Sequence, residues 1–280
     1  MTKKILILLL IIGIQKPLFA QNDTKEFFYN ISIGGVFGAV GALINKKPEQ
    51  KAHIVIAKGL AQGALGGYVT YESKRLLRVA QKNEDWKIIW SAKLLNAAGT
   101  SIKENAAANE DFWNKWHLNL GFNRIEFQTN DQFRIGYKVQ PIALAYTIDA
   151  FFRFDKFEAE KSLQTGEFIF SSKNLNNNGA TLAGYFVLNP NTRNNYKTIT
   201  HEIIHLYQSN DFSVLNVYLN KPIENLNKKS KTLEKINRFV HYDFHYIPLR
   251  ALYLSEGSDL SNYYENFFEH EAGYYSGTLH

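Results

Sequence analysis

The sequence predicts an α+β fold with an N-terminal glycine-rich helical hairpin, an antiparallel β-sheet and a helical C-terminal region that carries a metal-binding motif. Three observations predict it. Glycines recur at four-residue spacing between residues 34 and 67, apolar residues alternate between residues 124 and 139, and two histidines stand four residues apart near residue 201. The 280-residue chain contains no cysteine. Disulfides, cysteine metal sites and thiol nucleophiles are therefore excluded.

Residues 1–20 are typical of a secretory signal peptide. Lys3 and Lys4 precede an apolar run, and Ala20 ends a stretch that suits signal cleavage. The sequence thus predicts export to the periplasm, the outer envelope or the medium, and an uncleaved N-terminal anchor is the alternative. Removing this segment removes three lysines and no acids, so the formal charge falls from +6 to +3. The basic charge is therefore poor evidence for nucleic acid, and no nucleic-acid partner is expected.

Residues 21–110 are predicted to form a glycine-rich helical region. Residues 27–45 and 54–71 would pair as a hairpin, because glycines spaced by four lie on one helix edge and allow close backbone contact. Association with a membrane through residues 27–71 and a soluble or interfacial helix pair remain equal alternatives. Lys58 and Gln62 are costly at the centre of a bilayer. Residues 72–110 continue with apolar residues at helical spacing.

Residues 116–190 are predicted to form an antiparallel sheet within a domain spanning residues 111–280. Alternating apolar residues around an Asn-Asp turn predict a hairpin, and β-branched and aromatic runs predict further strands. The predicted strands are 124–128, 133–139, 142–154, 167–171 and 184–188.

The helix around residues 200–206 carries the chemistry. Histidines four apart lie on one helix face, so His201 and His205 can direct their imidazoles at one metal ion. Neutral imidazole is a good zinc ligand, and Glu202 stands where a carboxylate could take a proton from a metal-bound water. A chance pair of buried histidines is the alternative. The cofactor predicted from this H-E-x-x-H pattern is zinc.

This motif resembles that of the zincin metallopeptidases. The metzincin extension is absent, because Gln208 and Asp211 occupy the positions of its glycine and third histidine. The resemblance therefore implies a glutamate as third ligand, on a later helix at residues 262–276. Glu269-His270-Glu271-Ala272 looks like the E-x-x-A segment of the gluzincins, which makes Glu269 the expected ligand, with Glu271 or Glu265 as alternatives.

The resemblance is incomplete at Gly273, where related families carry an aspartate that supports a zinc histidine. It also implies that Tyr185–Leu188 is an edge strand that pairs with an extended substrate, although an ordinary core strand is an equal alternative. Gln208 could orient a ligand or bind substrate.

A second histidine pair lies at positions 241 and 245. His241, Tyr242 or His245 could stabilise the oxyanion of a tetrahedral intermediate, although packing or surface roles are the default for histidines outside a motif.

Two functions follow as hypotheses. In the first, the chain is a secreted or envelope zinc metallopeptidase, whose peptide or protein substrate is attacked by a zinc-activated water with Glu202 as general base. In the second, the chain is a non-catalytic envelope or membrane-associated protein with a structural or vestigial zinc site. The departure at Gly273 favours the second.

Overall fold

The computed structural model describes residues 23–192, 195–257 and 260–279, and the predicted signal peptide at residues 1–20 lies outside them. The fold is α+β, as predicted. Its main helices are α1 Thr24–Ile44, α2 Ala52–Asn83, α3 Trp86–Ala107, α4 Pro141–Arg153, α5 Ala159–Thr165, α6 Asn195–Asp211, α7 Asn220–Lys229, α8 Lys231–Asn237, α9 Tyr246–Ser255 and α10 Phe267–Ser276, with 3-10 turns at Ser213–Leu219 and Leu260–Glu265.

Helices α1 and α2 form the predicted hairpin, and their glycines explain how closely it packs. A Cβ atom at Gly34 would come within 2.3 Å of the Gly63 carbonyl oxygen, and one at Gly67 within 2.2 Å of the Asn30 carbonyl oxygen. Backbone therefore lies against backbone, which only glycine permits at these positions. Helix α3 packs on α2 at Gly99, where an added Cβ would lie only 2.7 Å from Thr70.

The outer face of the hairpin is apolar. Among the described residues, α1 is the one helix that by length and hydropathy could cross a membrane, and a third of its apolar window is buried. Core helices of soluble proteins and signal sequences share these properties. The exposed apolar side chains on its outer face include Val36, Val40 and Leu43.

The predicted single sheet is in fact two sheets. The first contains β1 Lys115–Leu120, β2 Asn123–Gln128 and β3 Arg134–Val139, antiparallel throughout, and it includes the predicted hairpin. The second contains β4 Lys156–Phe157, β5 Phe168–Ser171, β6 Gly179–Leu182 and β7 Tyr185–Leu188 in the order β4-β5-β7-β6. Strands β5 and β7 run parallel, so this sheet is mixed rather than antiparallel.

The strand predicted at residues 142–154 is wrong, because this segment is helix α4. Its β-branched and aromatic residues favour a strand locally, but Pro141 occupies the first turn and the Asp243 carboxylate accepts hydrogen bonds from the Ile142 and Ala143 amides at 3.0 and 2.8 Å. A cap supplied from a hundred residues away is invisible in the local pattern. The buried face of α4 is a stripe of small residues, Ala143, Thr147 and Ala150.

The main core joins the N-terminal helices to the C-terminal region. Leu77 of α2 and Ile89 of α3 belong to the same buried cluster as Ile203 of α6 and Tyr275 of α10. Helix α10 is shorter than the helix predicted at 262–276, because the Asn266 side chain caps it and the preceding residues form a 3-10 turn. The first turn of α10 lies against α6, where Glu269 contacts His201.

Candidate metal centre

The two motif histidines and one acid of α10 converge at a single point. Nε2 of His201 lies 3.1 Å from Nε2 of His205 and 3.1 Å from Oε2 of Glu269. The same Glu269 oxygen lies 3.3 Å from Nε2 of His205. These three residues are the one group of three or more potential metal ligands found among the described residues.

The size of this triangle fits a zinc ion. Zn–N and Zn–O bonds of about 2.0–2.1 Å at the tetrahedral angle place the ligand atoms about 3.3–3.4 Å apart. The three observed separations are 3.1, 3.1 and 3.3 Å. The group can thus bind a metal ion, with two imidazoles and one carboxylate as donors and one face of the tetrahedron left for a further ligand.

The electrostatics of the triangle favour a cation. Burial alone would lower the pKa of His205, but the hydrogen bond and charge of Glu269, together with the charge of Glu202, raise it to about 9. Burial would raise the pKa of Glu269, but the hydrogen bonds from His201 and His205 hold it well below its usual value. The buried acid therefore stays ionised, and a positive charge at the centre offsets it.

Two hydroxyl groups lie beside the outer ring nitrogen of His201. Thr278 Oγ1 lies 3.3 Å and Ser276 Oγ 3.5 Å from Nδ1 of His201, so this nitrogen can donate its hydrogen there and leave Nε2 free for a metal. A Cβ at Gly273 would lie 2.6 Å from the Tyr264 ring. No larger side chain fits at this position without moving that ring.

Glu202 lies beside strand β6 and close enough to the triangle for its charge to act on the pKa of His205. Its Oε2 accepts a hydrogen bond of 2.6 Å from the Thr181 hydroxyl, which also donates to the Glu202 carbonyl. A Cβ at Gly179 would come within 2.6 Å of Glu202 Oε1. Strand β6 therefore fixes the position of this carboxylate, and the absence of a side chain at Gly179 leaves it room.

The predicted edge strand is wrong. Strand β7, Tyr185–Leu188, lies between β5 and β6 and all four of its residues are buried. Its continuous apolar run is typical of an interior strand, which is the alternative that the sequence left open. The edge strand next to the metal ligands is β6, Gly179–Leu182.

Two tyrosines that the sequence did not single out contact the third ligand. The Tyr253 hydroxyl donates to Glu269 Oε1 at 2.6 Å. Burial, the charge of Glu269 and a hydrogen bond with it raise the pKa of Tyr263. Asn266 ties these elements together, since its side chain caps α10 and donates to the Tyr253 carbonyl. Twelve of the last 30 residues are aromatic or acidic, so composition alone could not select these two.

The second histidine pair lies elsewhere. His245 Nδ1 accepts from the Asn216 amide at 2.9 Å, and the Tyr242 hydroxyl donates to Asn237. His241 faces a buried cluster around Arg124 and Glu104, whose charges act on its pKa. Within the part of the chain that the structure describes, no hydrogen bond or ion pair joins these three residues to His201, His205 or Glu269.

The alternative third ligands also lie away from the histidines. Glu265 is exposed on the 3-10 turn. Glu271 is fully buried, and its carboxylate accepts hydrogen bonds from Lys74 and Gln208 and is not part of the triangle. The structure brings Glu269, and neither of these acids, to the two imidazoles.

Comparison of the chain with protein-family profiles, curated proteins and solved structures finds no match.

Proposed function

We propose that this protein is a zinc-dependent hydrolase of peptide bonds. The observation that carries the proposal is the convergence of His201, His205 and Glu269 on one point, with Glu202 beside it. Two imidazoles and a carboxylate are the donor set of one class of catalytic zinc sites, which keep a fourth position open. The resemblance to the gluzincins, described above, supports the same assignment.

Each residue of the site would have a separate role in the reaction. His201, His205 and Glu269 hold the metal, which when bound lowers the pKa of a water and polarises a carbonyl. Glu202 accepts a proton from the attacking water and returns it to the leaving amine. Thr181 aims the Glu202 carboxylate through its hydrogen bond. The Tyr253 and Tyr263 phenols hydrogen-bond the Glu269 carboxylate and would orient this ligand.

Strand β6 supports the choice of a peptide substrate. One edge of β6 pairs with β7, and the strand ends the sheet order, so its other edge offers backbone groups to an extended chain. Thr181 in this strand bonds the general base directly. A peptide paired with β6 would therefore run past Glu202.

Export and membrane contact are part of the proposal. The predicted signal at residues 1–20 directs the chain out of the cytoplasm, and the apolar outer face of α1 would lie against a lipid surface through Val36, Val40 and Leu43. Lys46 and Lys47 follow at the hairpin turn, where cations suit anionic headgroups.

The decisive experiment combines zinc content with cleavage of a peptide library. Glu202→Gln should retain zinc and lose turnover, whereas His205→Ala should lose both. The matched control is Glu265→Gln, which changes an exposed acid of the neighbouring turn and should leave both unchanged. Cleavage that survives in Glu202→Gln contradicts the general-base role. Stoichiometric zinc without any cleavage by the parent protein favours the non-catalytic envelope protein instead.

A further inference from the structure

A buried chain of hydrogen bonds leads from the metal ligand His205 to the N-terminal helices. We propose that Gln208 and Glu271 are positioning residues that fix the tautomer of His205, and that Lys74 of the glycine-rich hairpin holds them in place. The inference rests on the zinc site proposed above. It makes the N-terminal helices part of the metal centre rather than a separable anchor.

The first step is the orientation of the Gln208 amide. Its Nε2 donates to the Phe268 carbonyl at 2.8 Å and to Glu271 Oε2 at 2.9 Å, and both partners can only accept. The amide cannot be flipped without losing both bonds. Its Oε1 therefore faces His205 Nδ1, 2.8 Å away, as an acceptor.

The second step is the state of the imidazole. Because Gln208 Oε1 only accepts, His205 Nδ1 must carry the hydrogen, and in the neutral ring the lone pair then lies on Nε2. Nε2 is the atom that faces Nε2 of His201 and Oε2 of Glu269. Gln208 thus selects the tautomer that can bind a metal at the triangle.

The third step is what holds Glu271. Lys74 donates to both of its oxygens at 2.9 and 3.0 Å, and Asn30 of α1 donates to Oε1 at 3.2 Å. Lys74 also donates to Asp211, which a second lysine, Lys103, contacts at 2.8 Å. Two lysines and two acids balance in charge.

The side chains of all four charged residues are at most 3% exposed, so the network excludes water and has little freedom to rearrange. Lys74 and Lys103 come from α2 and α3, and Asp211 ends α6. The N-terminal helices therefore supply the cation that holds the Glu271 carboxylate in place as an acceptor.

A purely structural role for this network makes a different prediction, since a network that only stabilises the fold would affect folding and leave zinc affinity unchanged. The test therefore uses an exchange of the two side chains, Gln208→Glu with Glu271→Gln. In the double variant, residue 208 still accepts from His205 and residue 271 still accepts from Lys74. The hydrogen bond between residues 208 and 271 is kept with its direction reversed, and the total charge is conserved. Each single change breaks this arrangement.

The experiment measures zinc and cobalt affinity of the full chain by competition with a chelator, with circular dichroism to confirm folding. Gln208→Leu and each single exchange should weaken affinity about 10–100-fold, as lost partners of metal-bound histidines do. The double exchange should recover part of it, because the hydrogen bond to the Phe268 carbonyl stays lost. Asn210→Leu is the control, because the side chain of this α6 residue donates a hydrogen bond to Asn96 and takes no part in the chain of bonds from His205 to Lys74.

Long-range proton–nitrogen NMR of the zinc-loaded protein gives a second readout. His205 should carry its hydrogen on Nδ1 in the parent and in the double exchange. Unchanged affinity in folded Gln208→Leu, a double exchange no better than the single ones, or metal bound through Nδ1 overturns the inference. Zinc that binds and responds to Gln208 without peptide cleavage overturns the proposed hydrolase alone, and a parent chain that binds neither metal overturns both.

Discussion

Glu269 Oε2 lies 3.1 Å from Nε2 of His201, although 68 residues separate the two in the chain. The contact depends on Asn266, whose side chain caps the N-terminus of α10 by accepting hydrogen bonds from the Phe268 and Glu269 amides. Glu269 lies in that first turn, where the helix dipole favours a negative charge. The carboxylate is thus ionised and in position before any metal arrives.

Glu269→Gln should therefore remove most of the zinc affinity. The amide keeps the shape but loses the charge and the stronger donor oxygen, so we expect a loss larger than the about 10–100-fold effect of indirect partners. Chelator competition measures it. Glu265→Gln is the matched control, and equal losses in the two variants would contradict the assignment of Glu269.

Gly179→Ala should reduce turnover and spare metal binding. The added Cβ would come within 2.6 Å of Glu202 Oε1 and push the carboxylate from its place beside Thr181. Gly136→Ala is the control, because a Cβ added at this position of strand β3 would lie 3.9 Å from its nearest neighbour, the Cβ of Glu126. Peptide cleavage and zinc content measured side by side test this. A fully active Gly179→Ala protein would show that Glu202 is not held by β6.

Gly63→Ala should destabilise the hairpin by about 1–3 kcal/mol, as overpacking does. Its Cβ would lie 2.1 Å from the Gly34 carbonyl oxygen, and backbone atoms cannot move aside cheaply. At Gly35 the nearest atom is the movable Leu60 side chain at 3.2 Å, and alanine is the better helix former, so Gly35→Ala should cost much less. Urea unfolding compares the two. A cost at Gly35 equal to that at Gly63 would contradict the close backbone contact.

Buried histidines away from the metal centre should make the protein sensitive to acid. Burial lowers the pKa of His117 and of His245 to about 3. Between pH 6.5 and pH 3 the unfolded chain binds protons at these two sites and the folded chain does not, so the free energy of unfolding falls as the pH drops. The slope is about 1.4 kcal/mol per pH unit for each histidine.

Replacing both buried histidines by glutamine should flatten this slope in urea unfolding measured across the same pH range. His53→Gln is the control, because His53 is exposed on α2. A slope that remains unchanged after the double replacement would show that other groups cause the acid sensitivity.

Local spacing in the sequence predicted what depends on local geometry. His201 and His205 share a face because they stand four apart, and the glycines of α1 and α2 meet for the same reason. Glu269 came from the resemblance rather than from geometry. The partners Thr181 and Tyr253 acquire their roles through contacts between distant segments, which a local pattern does not record. Gln208 was expected to orient a ligand, and its contact with His205 is local, but the bonds that orient its amide come from α10.

The wrong strand prediction at residues 142–154 has the same cause, because the helix found there is capped by the side chain of Asp243 from a distant segment. The interior position of Tyr185–Leu188 depends on the order of strands in a sheet, which the order along the chain does not give.

Zinc K-edge absorption of the zinc-loaded full chain, with the zinc content of the same sample, tests the central claim most directly. We expect one zinc per chain, bound by two imidazoles and oxygen donors at about 2.0–2.1 Å, and loss of this signal in His205→Ala. A chain that binds no zinc at equilibrium, or a zinc site that persists unchanged in His205→Ala, would contradict it.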